Sequence, residues 1–171
     1  SGVECKTFVI HAPGHFPEEK VIEEQLLVLS ELSSFVKEIG CILLLENGGE
    51  ETSLIKEVFS KINNAGFCLD TGHANLFPDG SHSIELIEAF SGKLKHLHLH
   101  DNTGNPLSSY DFGFDLHLPP TLGNVNFKEI FAKLKEVNYS GNFTLELFHQ
   151  MLFFREHWRK FGLGRVRELL I

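Results

Sequence analysis

Three histidines alternate with leucines in the segment LKHLHLH, residues 94–100. They are His96, His98 and His100. A period of two is the spacing of a β-strand, so the three imidazoles are expected on one face. A polar loop then carries Asp115 and His117. Imidazole nitrogens together with carboxylate oxygens are ligands of zinc, manganese and iron, so the stretch predicts a metal site rather than polar core filling and a solvated loop.

Other short apolar runs also end in residues that can bind a metal or move a proton. These residues are His11, Glu46, Asp70 and Glu146, and His73 follows Asp70 closely. The carboxyl ends of the strands in a parallel β/α barrel converge on one mouth, where active sites lie. The pattern predicts that these side chains meet there. A surface salt bridge remains the alternative for Glu46 and Glu146, as does a turn cap for Asp70 and His73.

The apolar runs alternate with helical patterns along the chain. The predicted strands are residues 8–10, 41–45, 67–69, 94–100 and 143–145; the predicted helices are residues 17–39, 52–64, 83–90, 127–137 and most of the remainder to residue 171. Pro17 suits a first helical turn, and Gly40 suits a C-terminal stop. Strand–helix alternation is typical of a parallel sheet with right-handed crossovers. Residues 1–171 are therefore expected to form a single α/β domain.

Composition narrows the classes of partner. The chain has 171 residues and a formal net charge of −8, which weighs against nucleic-acid binding unless positive charge is focused in a patch. Three cysteines lie far apart with no Cys-x-x-Cys motif, which predicts reduced core thiols and a cytoplasmic protein. No apolar run approaches the roughly 18 residues of a membrane span, so we expect no membrane partner.

Six motifs, VIHAPG, LLLEN, CLDTGH, HLHLHDN, DLHLPP and LELF, occur in this order. Together they resemble the xylose isomerase-like TIM barrels, which include sugar-phosphate isomerases and epimerases and the endonuclease IV type of apurinic endonuclease (AP endonuclease family 2). The resemblance implies an α/β fold, a (β/α)8 barrel. Because the first motif corresponds to the third strand of that barrel, we expect a truncated barrel that lacks the first two strands.

The resemblance also implies roles for single residues. The divalent metal site shared across the superfamily corresponds to Glu46, Asp70, His98 and Glu146. In the epimerases the two glutamates are also catalytic and move the proton of the substrate carbon. His73 corresponds to a substrate-binding residue, and we expect the same of His11, whose counterpart in endonuclease-like members helps hold a zinc ion. In those members the counterparts of His73, Asp115 and His117 surround a further zinc, which makes these three a candidate second metal site. His96 and His100 are expected to pack or to support the ligands.

The sequence therefore predicts a metal-dependent isomerase or epimerase of a sugar or sugar phosphate that uses Zn²⁺ or Mn²⁺. An endonuclease IV-like phosphodiesterase acting on abasic DNA is an alternative, favoured by the fuller histidine and aspartate set and opposed by the net acidity. A non-catalytic barrel fragment is another alternative. Unpaired sheet edges in an open barrel would favour a homo-oligomer. The segment Pro-Thr-Leu-Gly-Asn at residues 120–124 departs from the family's usual glycine-rich run, and no clear arginine follows the central strand.

Overall fold

The computed structural model describes residues 5–13, 19–107, 111–148 and 155–169. Strands and helices alternate in this part of the chain. The strands are β1 (Thr7–His11), β2 (Ile42–Glu46), β3 (Ala65–Asp70), β4 (Leu94–Leu99) and β5 (Asn142–Leu145). The helices are α1 (Glu19–Glu38), α2 (Thr52–Lys61), α3 (Ser83–Phe90), α4 (Phe127–Glu136) and α5 (Arg155–Leu169).

The strands form one sheet in the order β1-β2-β3-β4-β5, and every neighbouring pair is parallel. Consecutive parallel strands that pair in sequence order are the construction of a β/α barrel, here seen as a five-stranded arc. The predicted parallel α/β architecture is confirmed. The register pairs His11 with Glu46 and Asp70 with His98, which brings the carboxyl ends of four strands to one rim.

The central strands are buried on both faces, as their unbroken apolar runs predict. Leu43, Leu44 and Leu45 of β2 are completely buried, since one face of the strand packs under the helices and the other points inward. Between the sheet and α2, the ring of Phe67 from β3 meets that of Phe59 edge to face, with centroids 6.2 Å apart. This apolar layer fixes the strands that carry the candidate site.

A buried carboxylate holds the connection between β4 and α4. Asp101 is fully buried and accepts hydrogen bonds from four backbone N–H groups. These donors belong to Asn102, Thr121, Gly123 and Val125. Beside it, the Asn75 amide donates to the side chains of Asn102 (2.9 Å) and Asn124 (2.7 Å). Asp101 therefore shapes the loop at the barrel mouth, although it ends a strand as the candidate site residues do.

Several predicted boundaries shift. The second helix ends at Lys61 rather than residue 64, because Ile62 adopts an extended conformation and is buried in the core. The predicted helical start at Pro17 lies outside the described residues, and α1 begins at Glu19. No helix among the described residues is long and apolar enough to cross a membrane.

The cysteines depart in part from the prediction of core thiols. All three are free, but only Cys68 is buried. Cys5 is exposed because it precedes β1, at the edge of the sheet, and Cys41 is half-buried just ahead of β2. The expectation of core thiols is therefore wrong for Cys5.

Candidate metal centre

Four strand ends bring three carboxylates and one imidazole together. We call this set the first donor cluster; it consists of Glu46, Asp70, His98 and Glu146. Each residue offers one donor atom, and these atoms all lie within 4.8 Å of one another. Glu46 and Asp70 are the last residues of β2 and β3, and Glu146 directly follows β5. All but Glu146 are buried, so the cluster is open to solvent on the Glu146 side.

The two glutamates converge on a single nitrogen of the first donor cluster. Nδ1 of His98 lies 3.0 Å from Oε1 of Glu46 and 3.2 Å from Oε1 of Glu146. Metal–ligand bonds of about 2.0–2.2 Å in a tetrahedral site place neighbouring ligand atoms roughly 3.3–3.6 Å apart. That range lies between the two separations from His98, 3.0 and 3.2 Å, and the 4.8 Å within which all four donor atoms lie. With one nitrogen and three carboxylates, the donor set fits a divalent cation and is oxygen-rich enough to suit manganese as well as zinc.

A second donor cluster lies beside the first, nearer to the loop that follows β4. It consists of His73, His100, Asp115 and His117, whose donor atoms also lie within 4.8 Å of one another. The carboxylate of Asp115 is at its centre. One oxygen lies 2.9 Å from Nε2 of His117 and 3.2 Å from Nε2 of His73, and the other lies 3.5 Å from Nδ1 of His100. The structure thus brings together the three residues that the resemblance implies for a second metal and adds His100.

The sequence predicts the same packing or supporting role for His96 and His100, but the structure places only His100 in a donor cluster. Nε2 of His96 makes a 2.8 Å hydrogen bond with the Thr144 hydroxyl. Its half-buried ring meets that of His98 edge to face at 5.4 Å, but His96 belongs to neither donor cluster. His100 is fully buried, with its ring stacked on that of His117 at a centroid distance of 3.8 Å. One signal in the sequence separates the two residues: on the same face of β4, His100 is nearer to the carboxyl end, where the mouth lies.

His11 lies at the margin of the site. Its Nε2 is 4.0 Å from Oε1 of Glu46, and its ring centroid is 5.5 Å from that of His73. Nδ1 of His73 lies 3.6 Å from the same Glu46 oxygen, so these three residues form a further potential donor group around a shared carboxylate. Because 62% of the His11 side chain is exposed, it faces the open mouth.

Two opposing effects set the pKa values in the site: burial disfavours the charged form of each group, and a neighbouring opposite charge favours it. Burial alone would raise the pKa of Asp70, but the charge and hydrogen bond of His100 hold it below its usual range. Burial alone would likewise lower the pKa of His98, yet the hydrogen bond and charge of Glu46 raise it. Burial and the nearby carboxylates Glu46 and Asp70 raise the pKa of the Cys68 thiol far above its usual value, so that thiol remains protonated. The dominant field at the mouth is negative and favours a cation.

Two curated proteins resemble this chain in sequence. The chain is 31% identical over 161 residues to the uncharacterized protein MJ1311 of Methanocaldococcus jannaschii, an alignment that covers 84% of this chain and 51% of that protein. The chain spans about half the length of the curated relatives it matches.

Two solved structures superpose on nearly the whole chain. A D-tagatose 3-epimerase-like protein is 28% identical with a TM-score of 0.65, covering 97% of this chain and 65% of its own. The IOLI protein, solved with a bound zinc atom, is 21% identical with a TM-score of 0.75. The match covers 96% of this chain and 63% of the IOLI chain. The family model described as "Xylose isomerase-like TIM barrel" matches residues 2–168. The chain therefore belongs to the xylose isomerase-like TIM barrel family.

Proposed function

We propose that this chain is a metal-dependent isomerase or epimerase that acts on a sugar or sugar phosphate. The observation that carries the proposal is the pair of carboxylates, Glu46 and Glu146, within 3.2 Å of the His98 nitrogen at the ends of three strands. The similarity to a D-tagatose 3-epimerase-like protein supports a sugar as the substrate class.

The first donor cluster would hold the ion, Zn²⁺ or Mn²⁺. A divalent ion bound there would polarise a substrate carbonyl or hydroxyl. Glu46 and Glu146 would act as base and acid on the carbon next to the carbonyl. Each carboxylate has two oxygens, so binding the ion and moving a proton need not compete for one atom. Because 34% of the Glu146 side chain is exposed and only 6% of that of Glu46, Glu146 is the group that can exchange its proton with solvent.

Of the two histidines predicted to contact the substrate, His11 is exposed and His73 is buried. His11 presents an exposed imidazole beside Glu46, where it can hydrogen-bond a sugar hydroxyl. His73 is buried, and its Nδ1 donates to the backbone oxygen of Asn47 at 3.0 Å, which fixes the ring below the mouth. We therefore assign substrate contact mainly to His11.

Solvent deuterium exchange tests the proposal. The metal-loaded 171-residue chain is incubated with D-tagatose, other ketohexoses or their phosphates in deuterated buffer, and the proton next to the carbonyl is followed by NMR. We expect exchange with at least one of these sugars and its loss in Glu146→Gln, since the amide is nearly isosteric but cannot accept a proton. His96→Gln is the matched control and should retain exchange. A metal-loaded chain that exchanges none of these sugars would contradict the proposal.

The second donor cluster favours one further candidate, phosphodiester hydrolysis at a multi-metal site, because neighbouring ions can stabilise both the attacking and the leaving oxygen. Incubation with an abasic oligonucleotide under the same conditions distinguishes the phosphodiesterase from the isomerase. The net charge of −8 opposes DNA binding, which would also weaken steeply with salt. Cleavage without ketose exchange would establish the phosphodiesterase in place of the isomerase.

A further inference from the structure

We propose that the second donor cluster is a closed four-ligand site for a zinc-type ion, with His100 as the fourth ligand. The ion would fasten the loop carrying Asp115 and His117 to the barrel mouth rather than take part in catalysis. The argument uses only the geometry of this cluster and holds whether or not the first donor cluster is catalytic.

The outward nitrogen of each imidazole in the cluster already has an oxygen partner. Nδ1 of His73 lies 3.0 Å from the backbone oxygen of Asn47, and Nδ1 of His117 lies 3.1 Å from that of Glu146. A carbonyl oxygen can only accept, so both nitrogens must donate. Nε2 of His100 lies 2.8 Å from the Asp70 carboxylate and donates in the same way.

The inward nitrogen of each ring is therefore the acceptor whenever that ring is neutral, and all three inward nitrogens point at the Asp115 carboxylate. Nitrogens that face one carboxylate at 2.9–3.5 Å need a positive charge between them and it. In the metal-free chain a proton on His73 supplies part of that charge, and a metal ion would replace the proton. Ligating histidines characteristically donate their second nitrogen to a carbonyl or carboxylate, which is the arrangement of all three rings here.

Two buried polar atoms mark where the positive charge belongs. Nδ1 of His100 and Oδ1 of Asp115 are each buried without a hydrogen-bond partner and lie 3.5 Å apart. The His100 side chain is completely buried and that of Asp115 is 10% exposed. Such atoms cost free energy when unsatisfied, and a cation would satisfy both. Three imidazoles and one carboxylate form a nitrogen-rich set of tetrahedral count, which favours zinc or cobalt over manganese.

Closure distinguishes this cluster from a catalytic site. Catalytic zinc sites keep a position open for water or substrate, whereas structural sites fill four positions with protein ligands. The four side chains are between 0% and 19% exposed, and the ring of Phe148 packs against that of His117 at a centroid distance of 4.9 Å. His117 itself has φ of 44°, a left-handed conformation that is uncommon in a non-glycine residue.

Cobalt binding tests the proposal directly. Metal-free protein is titrated with Co²⁺ alone, whose visible absorption is far more intense in a tetrahedral site than in a six-coordinate one. We use the His98→Ala chain, which removes the imidazole of the first donor cluster, and compare it with His98→Ala combined with His100→Gln. Glutamine can still donate to Asp70 but offers no imidazole. His98→Ala combined with His96→Gln is the matched control on the same strand.

The intense tetrahedral spectrum should appear in the His98→Ala chain, persist in the His96→Gln combination and be lost in the His100→Gln combination. Cobalt affinity should fall by more than about 100-fold on losing His100, beyond the effect of a residue that only supports a ligand. Zinc should also protect the peptide bonds of residues 111–118 from proteolysis. An unchanged spectrum and affinity in the His100→Gln combination would overturn the proposal.

A second measurement covers the case in which the His100→Gln chain does not fold. X-ray absorption of the zinc-loaded His98→Ala chain counts the imidazoles around the ion. Three imidazoles and one oxygen are expected, and two imidazoles with additional water oxygens would show an open site without His100. Neither outcome depends on ketose exchange, so failure of this proposal is separate from failure of the proposed function.

Discussion

The position of His100 depends on a glycine. A Cβ built on Gly72 would overlap the His100 imidazole, so the ring can lie between Asp70 and Asp115 only because residue 72 has no side chain. Gly72→Ala should therefore destabilise the fold by about 1–3 kcal/mol, the usual cost of overpacking. The urea midpoint of the metal-free chain measures this cost.

Gly92→Ala is the control for that change, because a Cβ there meets nothing within 4 Å. It should shift the free energy of unfolding by less than about 0.5 kcal/mol. Equal effects of the two substitutions would show that Gly72 does not limit the packing of His100.

Asp101 offers a second test at the residue scale. Asp101→Ala would leave the four N–H donors of the mouth loop without their acceptor, at about 1–3 kcal/mol for each donor that water cannot reach. Asp101→Asn keeps one amide oxygen and should cost less. Chemical denaturation of both variants measures the difference. If Asp101→Ala were as stable as the parent chain, water would be satisfying the loop.

The pH dependence of the metal-free chain should report on His73. Burial alone would lower its pKa, but the hydrogen bond and charge of Asp115 and the charge of Asp70 raise it to about 10. A folded-state pKa above the ordinary 6.5 means that the protonated ring stabilises the fold fully below pH 6.5. That contribution is lost as pH rises through about 10. Denaturant midpoints across this range should fall, and His73→Gln should flatten the profile. An equally steep fall in that variant would assign the effect to another group.

At the scale of elements, periodicity predicts much of the structure. The unbroken apolar run of β2 and the alternation in β4 reflect burial that acts locally, and both strands form as predicted. The hydrophobic pattern does not predict where α2 ends, because Ile62 adopts an extended conformation in which its side chain is buried in the core. The distinction between His96 and His100 is also tertiary: it depends on whether Thr144 or Asp70 lies across from the ring.

Helix α1 carries an apolar stripe that its packing on the sheet does not cover. Val28 and Phe35 of α1 are 63% and 58% exposed, and Ile39, directly after the helix, is 52% exposed. Their spacing places all three on one side. In the described chain β1, which precedes this helix, is also an edge strand. Exposed apolar surface beside a strand edge favours association, and we expect a second copy of the chain to cover it.

Sedimentation at increasing protein concentration tests this expectation. The chain should self-associate, and Phe35→Lys should shift it toward the monomer. Ser34→Lys makes the same charge change on another side of α1 and should leave association unchanged. A parent chain that stays monomeric throughout would contradict the expectation of a homo-oligomer.

At the scale of the whole molecule, the sheet turns scattered residues into one site. Glu46 and Glu146 are 100 positions apart in sequence, yet both lie within 3.2 Å of His98 because parallel strands end at a common rim. Strand ends can be found in sequence, so the members of the first donor cluster could be predicted. Loops have no such periodicity, so the sequence does not predict that Asp101 accepts hydrogen bonds from four N–H groups of the mouth loop.

The most direct test of the account is Mn²⁺ binding at the first donor cluster, followed by electron paramagnetic resonance, in which free Mn²⁺ is readily counted. Three carboxylates and one imidazole suit manganese better than the nitrogen-rich second donor cluster does. The parent chain and His96→Ala should bind Mn²⁺ equally, and His98→Ala should lose most of the affinity because it removes the only imidazole of the cluster. If His98→Ala binds Mn²⁺ as tightly as the parent chain, the first donor cluster is not the metal site.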